Sequence, residues 1–425
     1  MSQRGSDGTW AAPHATTPVS ARVVVPGSKS GTARALVLAA LASGPGTIRG
    51  GLQARDSQLM RSALRTLGVV IDDTDPDVWS VTPPESFVAG GEVDCGLAGT
   101  VARFVPPIAA LASGTTEFHG DPAASARPVA PLLDGLIQCG ATVSGDRLPF
   151  AVTGPVRGGA AAIDASASSQ FLSGLLLTGG RFEEGLRLRH VGLEPVPSLP
   201  YVDLTVSNLR DRGVVVDKPG ADEWLVQPGQ IAPADETVQP DLMNAAAFLA
   251  AALVTGGSVT VAGWPAERGL PGTDVPDVFA AFGATATVTS EGLTVTHAGG
   301  GWPGVDLDLR STSEVTPVVA VLAALADSPS RITGVAHIRG HETDRLAALA
   351  TELTRLGAQV TELPDGLEIT PRPLHGGLWH CYADHRLAHA GALIGLAVAG
   401  VELDDIGCTS KTMPRFADVW AGMLS

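Results

Sequence analysis

Lysine is nearly missing from this sequence. The 425 residues contain only Lys29, Lys218 and Lys411, and every other fixed cation is Arg. A chain that avoids Lys yet keeps two of them in Gly/Ser/Thr-rich turns, at Lys29 and Lys411, points to a need for a compact ammonium there. Chance survival on the surface is the plainer alternative. Cysteine is scarce too. Cys95, Cys139, Cys381 and Cys408 form no C-x-x-C pair, so neither a zinc site nor a disulfide framework follows, and reduced buried thiols are expected. Positive charge is short overall. A formal net charge of −16 excludes a broad basic face for nucleic acid, though not small anionic substrates held by local cations. No apolar run, Ala390–Val401 included, reaches the roughly 20 residues of a membrane span. The opening M-S-Q-R-G-S-D-G-T has no apolar core, so no signal peptide is expected and the protein is expected in the cytoplasm. Aromatics make up only 4%, which leaves Ala, Val and Leu to build the core.

What is present is repetition. The length exceeds one ordinary core, so two domains are expected. A Gly followed by a small or β-branched residue ends a helix about every 70 residues. These ends are L-G-V at Leu67–Val69, C-G-A at Cys139–Ala141, R-G-V at Arg212–Val214, F-G-A at Phe282–Ala284 and L-G-A at Leu356–Ala358. Gly at that place suits a left-handed C-cap, and a fixed period marks repeated supersecondary units. Six other helices are apolar nearly all round and are expected to be buried. They begin near Ala33, Phe104, Ser169, Met243, Glu314 and Asp384. Short alternating strands such as W-S-V-T from Trp79 and L-T-V-T from Leu293 complete each unit. The pattern predicts an α/β protein of six units, three per domain, crossing near Gln239–Pro240, with the sixth unit cut short. Residues 1–18, rich in Ser, Thr, Pro and Gly, read as a disordered tail. The A-R-V-V-V strand from Ala21 has no assignable partner.

Each of the six buried helices starts near polar or charged residues. Helix N-termini carry unpaired N–H groups and partial positive charge, so six such ends facing one cleft would hold anions. The first is P-G-S-K-S-G-T-A-R (Pro26–Arg34). It lacks the first Gly of a phosphate-binding loop of the G-x-x-x-x-G-K-[ST] type, and an ordinary capped turn remains an alternative. The second, G-L-A-G-T-V-A-R, offers Gly99 for close backbone approach and Arg103 a turn later. Arg127 in S-A-R-P adds a cation or is a solvated loop residue. The third, S-A-S-S-Q-F, presents Ser168, Ser169 and Gln170, which also suit a plain cap. P-S-L-P-Y adds Ser198 and Tyr201. In the second half, Glu314 opens a buried helix, where Glu also suits the dipole. G-H-E-T-D-R packs His341, Glu342 and Arg345 together, with Glu342 and Arg345 at salt-bridge spacing. A-D-H-R and T-S-K-T bring His385, Arg386 and Lys411. The set argues for a site that binds two anionic ligands and performs acid/base work.

In order and form, the runs P-G-S-K-S-x-T-x-R-A-L, G-L-A-G-T-V-x-R-F, R-P-V-A-P-L, S-A-S-S-Q-F-L-S-G-L-L, P-D-L-x-N-A, G-H-E-T-D-R-L, A-D-H-R and T-S-K-T-x-P, from Pro26 to Pro414, resemble the enolpyruvyl transferase family. The likeness is to its 5-enolpyruvylshikimate-3-phosphate synthase branch, in the actinobacterial form. The resemblance implies two domains, each three copies of a β-α-β-α-β-β unit in an inside-out barrel-like arrangement, closing on substrate. It implies that the chain crosses between domains twice. Residues 27–239 then form the shikimate 3-phosphate domain, and 19–26 with 240–425 the domain of catalytic carboxylates and phosphoenolpyruvate-binding cations. The implied reaction moves the enolpyruvyl group of phosphoenolpyruvate to the 5-hydroxyl of shikimate 3-phosphate and releases phosphate, with no metal or organic cofactor. The implied partners are those two small molecules, with neither nucleic acid nor membrane, and the default state is a monomer.

Position by position, the resemblance gives Lys29, Ser30, Arg34, Ser168, Ser169, Gln170, Ser198, Tyr201, Glu314 and His341 to shikimate 3-phosphate. It gives Lys29, Gly99, Arg103, Arg127, Gln170, Arg345, Arg386 and Lys411 to phosphoenolpyruvate. Glu314 stands where the family keeps the carboxylate that takes the hydroxyl proton, Glu342 handles the methylene proton, and Lys29 and Lys411 join the catalytic set. Glyphosate, a competitor of phosphoenolpyruvate in sensitive members, is expected to inhibit. Three positions depart from the pattern. Ala33 replaces a usual Asn, Leu97 an Asn of many members, and L-A-H (Leu387–His389) a common M-A-M. Ala33 leaves open a paralogue of altered or weak activity that binds a phosphorylated metabolite. The related transferase acting on UDP-N-acetylglucosamine fits poorly, because Ser30 follows Lys29 and Pro122–Ala126 hold no Cys.

Overall fold

The computed structural model describes residues 8–425. Its contacts divide the chain into two units: Gly27–Gln239, and the residues up to Pro26 together with Pro240–Ser425. Each has its own apolar core.

In the unit Gly27–Gln239 each of three repeats contributes two helices. They are α1 (Lys29–Leu41) and α2 (Arg55–Thr66), α3 (Gly99–Ala109) and α4 (Ala130–Gln138), and α5 (Gln170–Gly179) and α6 (Pro200–Asp211). The other unit repeats the arrangement with α7 (Leu242–Thr255) and α8 (Val275–Ala281), α9 (Thr316–Ala324) and α10 (Arg345–Arg355), and α11 (His385–Ala397) and α12 (Phe416–Met423). The odd-numbered helices are the ones buried nearly throughout. α7 is buried continuously from Leu242 to Leu253, and α11 from His385 to Leu396. Their small residues allow close packing. Gly174 on α5 sits so near α3 that an added Cβ would lie 2.1 Å from the Arg103 carbonyl oxygen.

Among the described residues, five sheets have four strands and one has three. In the four-stranded sheets one pair is parallel, and an antiparallel hairpin completes the order, as in Glu92–Asp94, Gly114–His119, Phe150–Gly154 and Thr142–Ser144. Two sheets take their first strand from a distant segment. Glu236–Thr237 pairs in parallel with Gly46–Arg49, closing the first repeat with the end of its own unit. Ser20–Val23 pairs in parallel with Ser258–Val261, which supplies the partner that pattern alone did not assign.

The expectation of a disordered tail over 1–18 needs correction. Residues 1–7 lie outside the described residues, but Trp10–Ala11 form a strand antiparallel to Glu402–Leu403. Trp10 is buried, 4% exposed, in the core of the second unit. The sixth repeat has only the strands Gly377–Trp379 and Val401–Leu403, and the N-terminal segment covers the edge that its missing hairpin would have covered. A Ser/Thr/Pro/Gly-rich composition concealed one buried Trp.

Candidate functional site

In the unit Gly27–Gln239 the polar residues gather at the starts of α1, α3 and α5. Helix α1 begins earlier than its apolar run suggested. Ser28 caps it by accepting from the Gly31 N–H at 3.2 Å, so Lys29 stands in the first turn. The Lys29 ammonium is 3.7 Å from the Asp56 carboxylate on α2. Arg34, one turn further, is 2% exposed. It donates to the Thr205 hydroxyl (2.8 Å), the Ser173 hydroxyl (3.1 Å) and the carbonyls of Ser30 (3.1 Å) and Tyr201 (2.9 Å). Four bonds to protein make Arg34 a brace that ties Ser30 to the Tyr201 segment. Ser198, just before α6, has a left-handed φ of 50°, and its carbonyl accepts the Tyr201 N–H.

Gly99 is the first residue of α3, and Arg103 follows one turn on. Arg103 donates to the Gln170 side-chain oxygen at 2.9 Å and to the Pro128 carbonyl at 2.8 Å. Arg127 donates to the Leu97 carbonyl at 3.0 Å. These side chains and Gly96–Gly99 line a small cavity. A Cβ on Gly99 would lie 2.6 Å from an Arg103 guanidinium nitrogen and 3.1 Å from both terminal nitrogens of Arg127. Ser168 accepts the Gln170 N–H, and Ser169 is buried beside it. Burial pushes Arg34 down to about 10. Burial and then Arg127 push Arg103 down to about 9. Among the described residues, Arg34, Arg103 and Arg127 form no ion pair with a carboxylate. Buried positive charge without a counter-charge is costly, so this cluster is electrostatically suited to an anion.

Ala33 lies in the apolar cluster, 5% exposed.

The second unit has the opposite arrangement. Glu314 lies in a single 3-10 turn, Ser313–Val315, that leads into α9. Arg345, the first residue of α10, is fully buried among three carboxylates. It donates to Glu314 at 2.9 Å, to Glu342 at 2.8 Å and to Asp384 at 2.7 and 3.2 Å. The salt bridge suggested by the spacing of Glu342 and Arg345 is therefore present, as one part of a larger array. The other Glu342 oxygen is 2.8 Å from the Lys411 ammonium, at the end of the turn Ile406–Lys411. Glu314 is also 3.2 Å from His341 Nδ1 and 3.2 Å from Arg386 Nε. Burial pushes the Glu314 carboxyl up, but Arg345, His341 and Arg386 outweigh it and hold it well below the usual range. Burial lowers the Arg345 guanidinium, and its three carboxylates more than reverse this.

Sequence reasoning passed over Asp384. It caps α11 through the Arg386 N–H (2.8 Å) and grips Arg345 with both oxygens. An Asp directly before an apolar helical run is an N-cap signal, and A-D-H-R carried it. Asp56 was missed as well, because nothing local ties it to Lys29. Ligand atoms of Glu342, Asp384 and His385 lie within 4.8 Å of one another. Both carboxylates already face Arg345 or Lys411, so the donor set fits a metal ion poorly.

The model of the EPSP synthase (3-phosphoshikimate 1-carboxyvinyltransferase) family matches residues 13–420. A 3-phosphoshikimate 1-carboxyvinyltransferase of Mycobacterium ulcerans (strain Agy99) is 52% identical over 423 residues, 98% of this chain and 97% of that protein. Among solved structures, EPSP synthase from Acinetobacter baumannii has a TM-score of 0.81 at 23% identity, covering 98% of this chain and 97% of the other. The enolpyruvyl transferase NikO from Streptomyces tendae has a TM-score of 0.73 at 19% identity, covering 96% of each. Both share the fold.

Proposed function

Because this chain belongs to the EPSP synthase (3-phosphoshikimate 1-carboxyvinyltransferase) family and is a transferase of the shikimate route to aromatic amino acids, we propose the following division of labour among its side chains. Lys29, Ser30, Ser168, Ser169, Gln170, Ser198 and Tyr201 hold shikimate 3-phosphate, with Arg34 bracing Ser30 and Tyr201 and offering charge. Gly99, Arg103, Arg127, Gln170, Arg345, Arg386 and Lys411 hold phosphoenolpyruvate. The uncompensated charge of Arg34, Arg103 and Arg127 supports the first part, since a bound phosphate or carboxylate supplies the missing counter-charge.

One observation carries the chemical part: a single buried guanidinium, Arg345, holds both Glu314 and Glu342. Forming the tetrahedral adduct needs two proton movements. Protonating the methylene of phosphoenolpyruvate makes the neighbouring carbon electrophilic, and removing the 5-hydroxyl proton makes the attacking oxygen competent. Glu342, bridging Lys411 and Arg345, is the group for the methylene proton. Glu314, beside His341, is the base for the hydroxyl proton. In the free protein its cations make Glu314 a weak base. Anionic substrates that engage Arg345 and Arg386 weaken that hold and raise its proton affinity. The tetrahedral adduct then expels phosphate as Glu342 takes a proton back from the new methyl group, which restores the enol double bond, and the phosphate charge falls on Lys29, Lys411 and the arginines.

The reading includes action as a monomer in the cytoplasm, without a metal or organic cofactor, and inhibition by glyphosate at the phosphoenolpyruvate positions. The test is phosphate release from phosphoenolpyruvate with shikimate 3-phosphate as acceptor. Glu342→Gln and Glu314→Gln are each expected to lower turnover roughly 10²–10⁴-fold, the usual scale of one acid/base group. Wild-type turnover in Glu342→Gln would overturn its role.

A further inference from the structure

Two consecutive non-glycine residues, Tyr382 and Ala383, adopt left-handed backbone angles, with φ of 54° and 53°. Neither is a residue that takes this region readily. They immediately precede Asp384, which grips Arg345 and caps the helix carrying Arg386. Something must hold this stretch in place.

The holder is Glu352. Its carboxylate is fully buried on α10, seven residues from Arg345 and so on the same helical face. One oxygen accepts the Tyr382 hydroxyl at 2.7 Å; the other accepts the His380 backbone N–H at 3.0 Å and Arg355. Helix α10 therefore grasps the segment twice: at its start through Arg345 and Asp384, and two turns on through Glu352. A buried carboxylate with both oxygens bonded is a rigid anchor. Tyr382, by contrast, is 39% exposed and contributes little apolar burial to the core. Its hydroxyl is the part that is tied down.

We propose that Glu352 and Tyr382 form a positioning clamp that keeps Tyr382–Ala383 left-handed and so aims Asp384, Arg345 and the start of the Arg386 helix for binding phosphoenolpyruvate. The clamp rests on the assignment of Arg345 and Arg386 to phosphoenolpyruvate made above. Neither clamp residue touches substrate. Both act through Asp384.

The test uses the full-length enzyme and steady-state kinetics in both substrates. Tyr382→Phe removes one hydrogen bond to a carboxylate and is expected to raise KM for phosphoenolpyruvate roughly three- to tenfold, with KM for shikimate 3-phosphate unchanged. Glycine takes positive φ without strain, so adding Ala383→Gly to Tyr382→Phe is expected to restore most of the loss. A Tyr382→Phe enzyme with wild-type KM, or a loss that Ala383→Gly does not repair, overturns the clamp. Arg386→Lys, measured alongside, tests the underlying assignment: an unchanged KM for phosphoenolpyruvate there overturns the assignment of Arg386. Amide exchange over residues 380–386 judges the clamp without substrate. Faster exchange in Tyr382→Phe, reversed by Ala383→Gly, supports it, and unchanged exchange overturns it.

Discussion

Single residues here act mostly through their charge state. His389 is buried, and burial followed by Arg386 and Arg345 holds its imidazole well below the ordinary value. His337, bonded to the Ser313 hydroxyl at 2.8 Å, is pushed down to about 4, by burial first and His341 next. Both are neutral in the folded protein at neutral pH. In the unfolded chain they bind protons below about 6.5. The unfolded state then holds more protons, so stability falls as pH drops from about 6.5, for His337 until about 4. Glu314 acts in a separate window. Its ion pairing stabilises the fold above the ordinary carboxyl value of about 4.3 and is lost as pH falls through its depressed folded value. His389→Met is therefore expected to reduce the fall in thermal midpoint between pH 7 and pH 5, leaving the loss below pH 4 in place. Thermal denaturation at fixed pH checks this, and a variant as steep as the wild type between pH 7 and 5 would count against it. The residue also explains a departure from the family pattern. At the third position of L-A-H, His stacks on Phe416 with ring centroids 4.4 Å apart, in the place of a common Met.

At the scale of elements, the decisive contacts are backbone approaches that only Gly permits. Gly174 lets α5 meet α3 at the level of Arg103, so the 2.9 Å bond from Arg103 to Gln170 depends on that spacing. Gly174→Ala must part the two helices. It is expected to destabilise the unit by roughly 1–3 kcal/mol, as overpacking of a tight core does, and to raise KM for phosphoenolpyruvate. Urea denaturation and steady-state kinetics measure the two effects. A loss of stability with unchanged KM would show that Arg103 tolerates the shift. The periodic Gly residues were legible from the sequence because a helix end imposes a local backbone demand. Gly174, inside an apolar run, was not, since its partner lies some seventy residues away.

For the molecule as a whole, an acidic chain keeps Arg34, Arg103 and Arg127, among the described residues, without a carboxylate partner in one unit. If Lys29, Arg34, Ser168, Ser169 and Gln170 hold shikimate 3-phosphate, that ligand binds the folded protein and not the unfolded chain. At a hundred times its dissociation constant it adds about 2.7 kcal/mol to the stability of Gly27–Gln239. Hydrogen exchange then slows at the starts of α1 and α5. Protection confined to residues 240–425 would reverse the assignment of ligand to unit.

The sequence by itself determined the repeats, the buried helices and most of the charged residues at their starts, because periodicity, caps and Gly ends are local demands written in neighbouring residues. It also carried the run of motifs that marks the family. It did not show that Trp10 belongs to a sheet with Leu403, that Ser20–Val23 pairs with Ser258–Val261, that Asp384 bonds Arg345, or that Glu352 bonds Tyr382. Those are pairings between segments tens to hundreds of residues apart. Only tertiary structure decides them, since a hydrogen bond depends on distance in space and leaves no periodic mark along the chain.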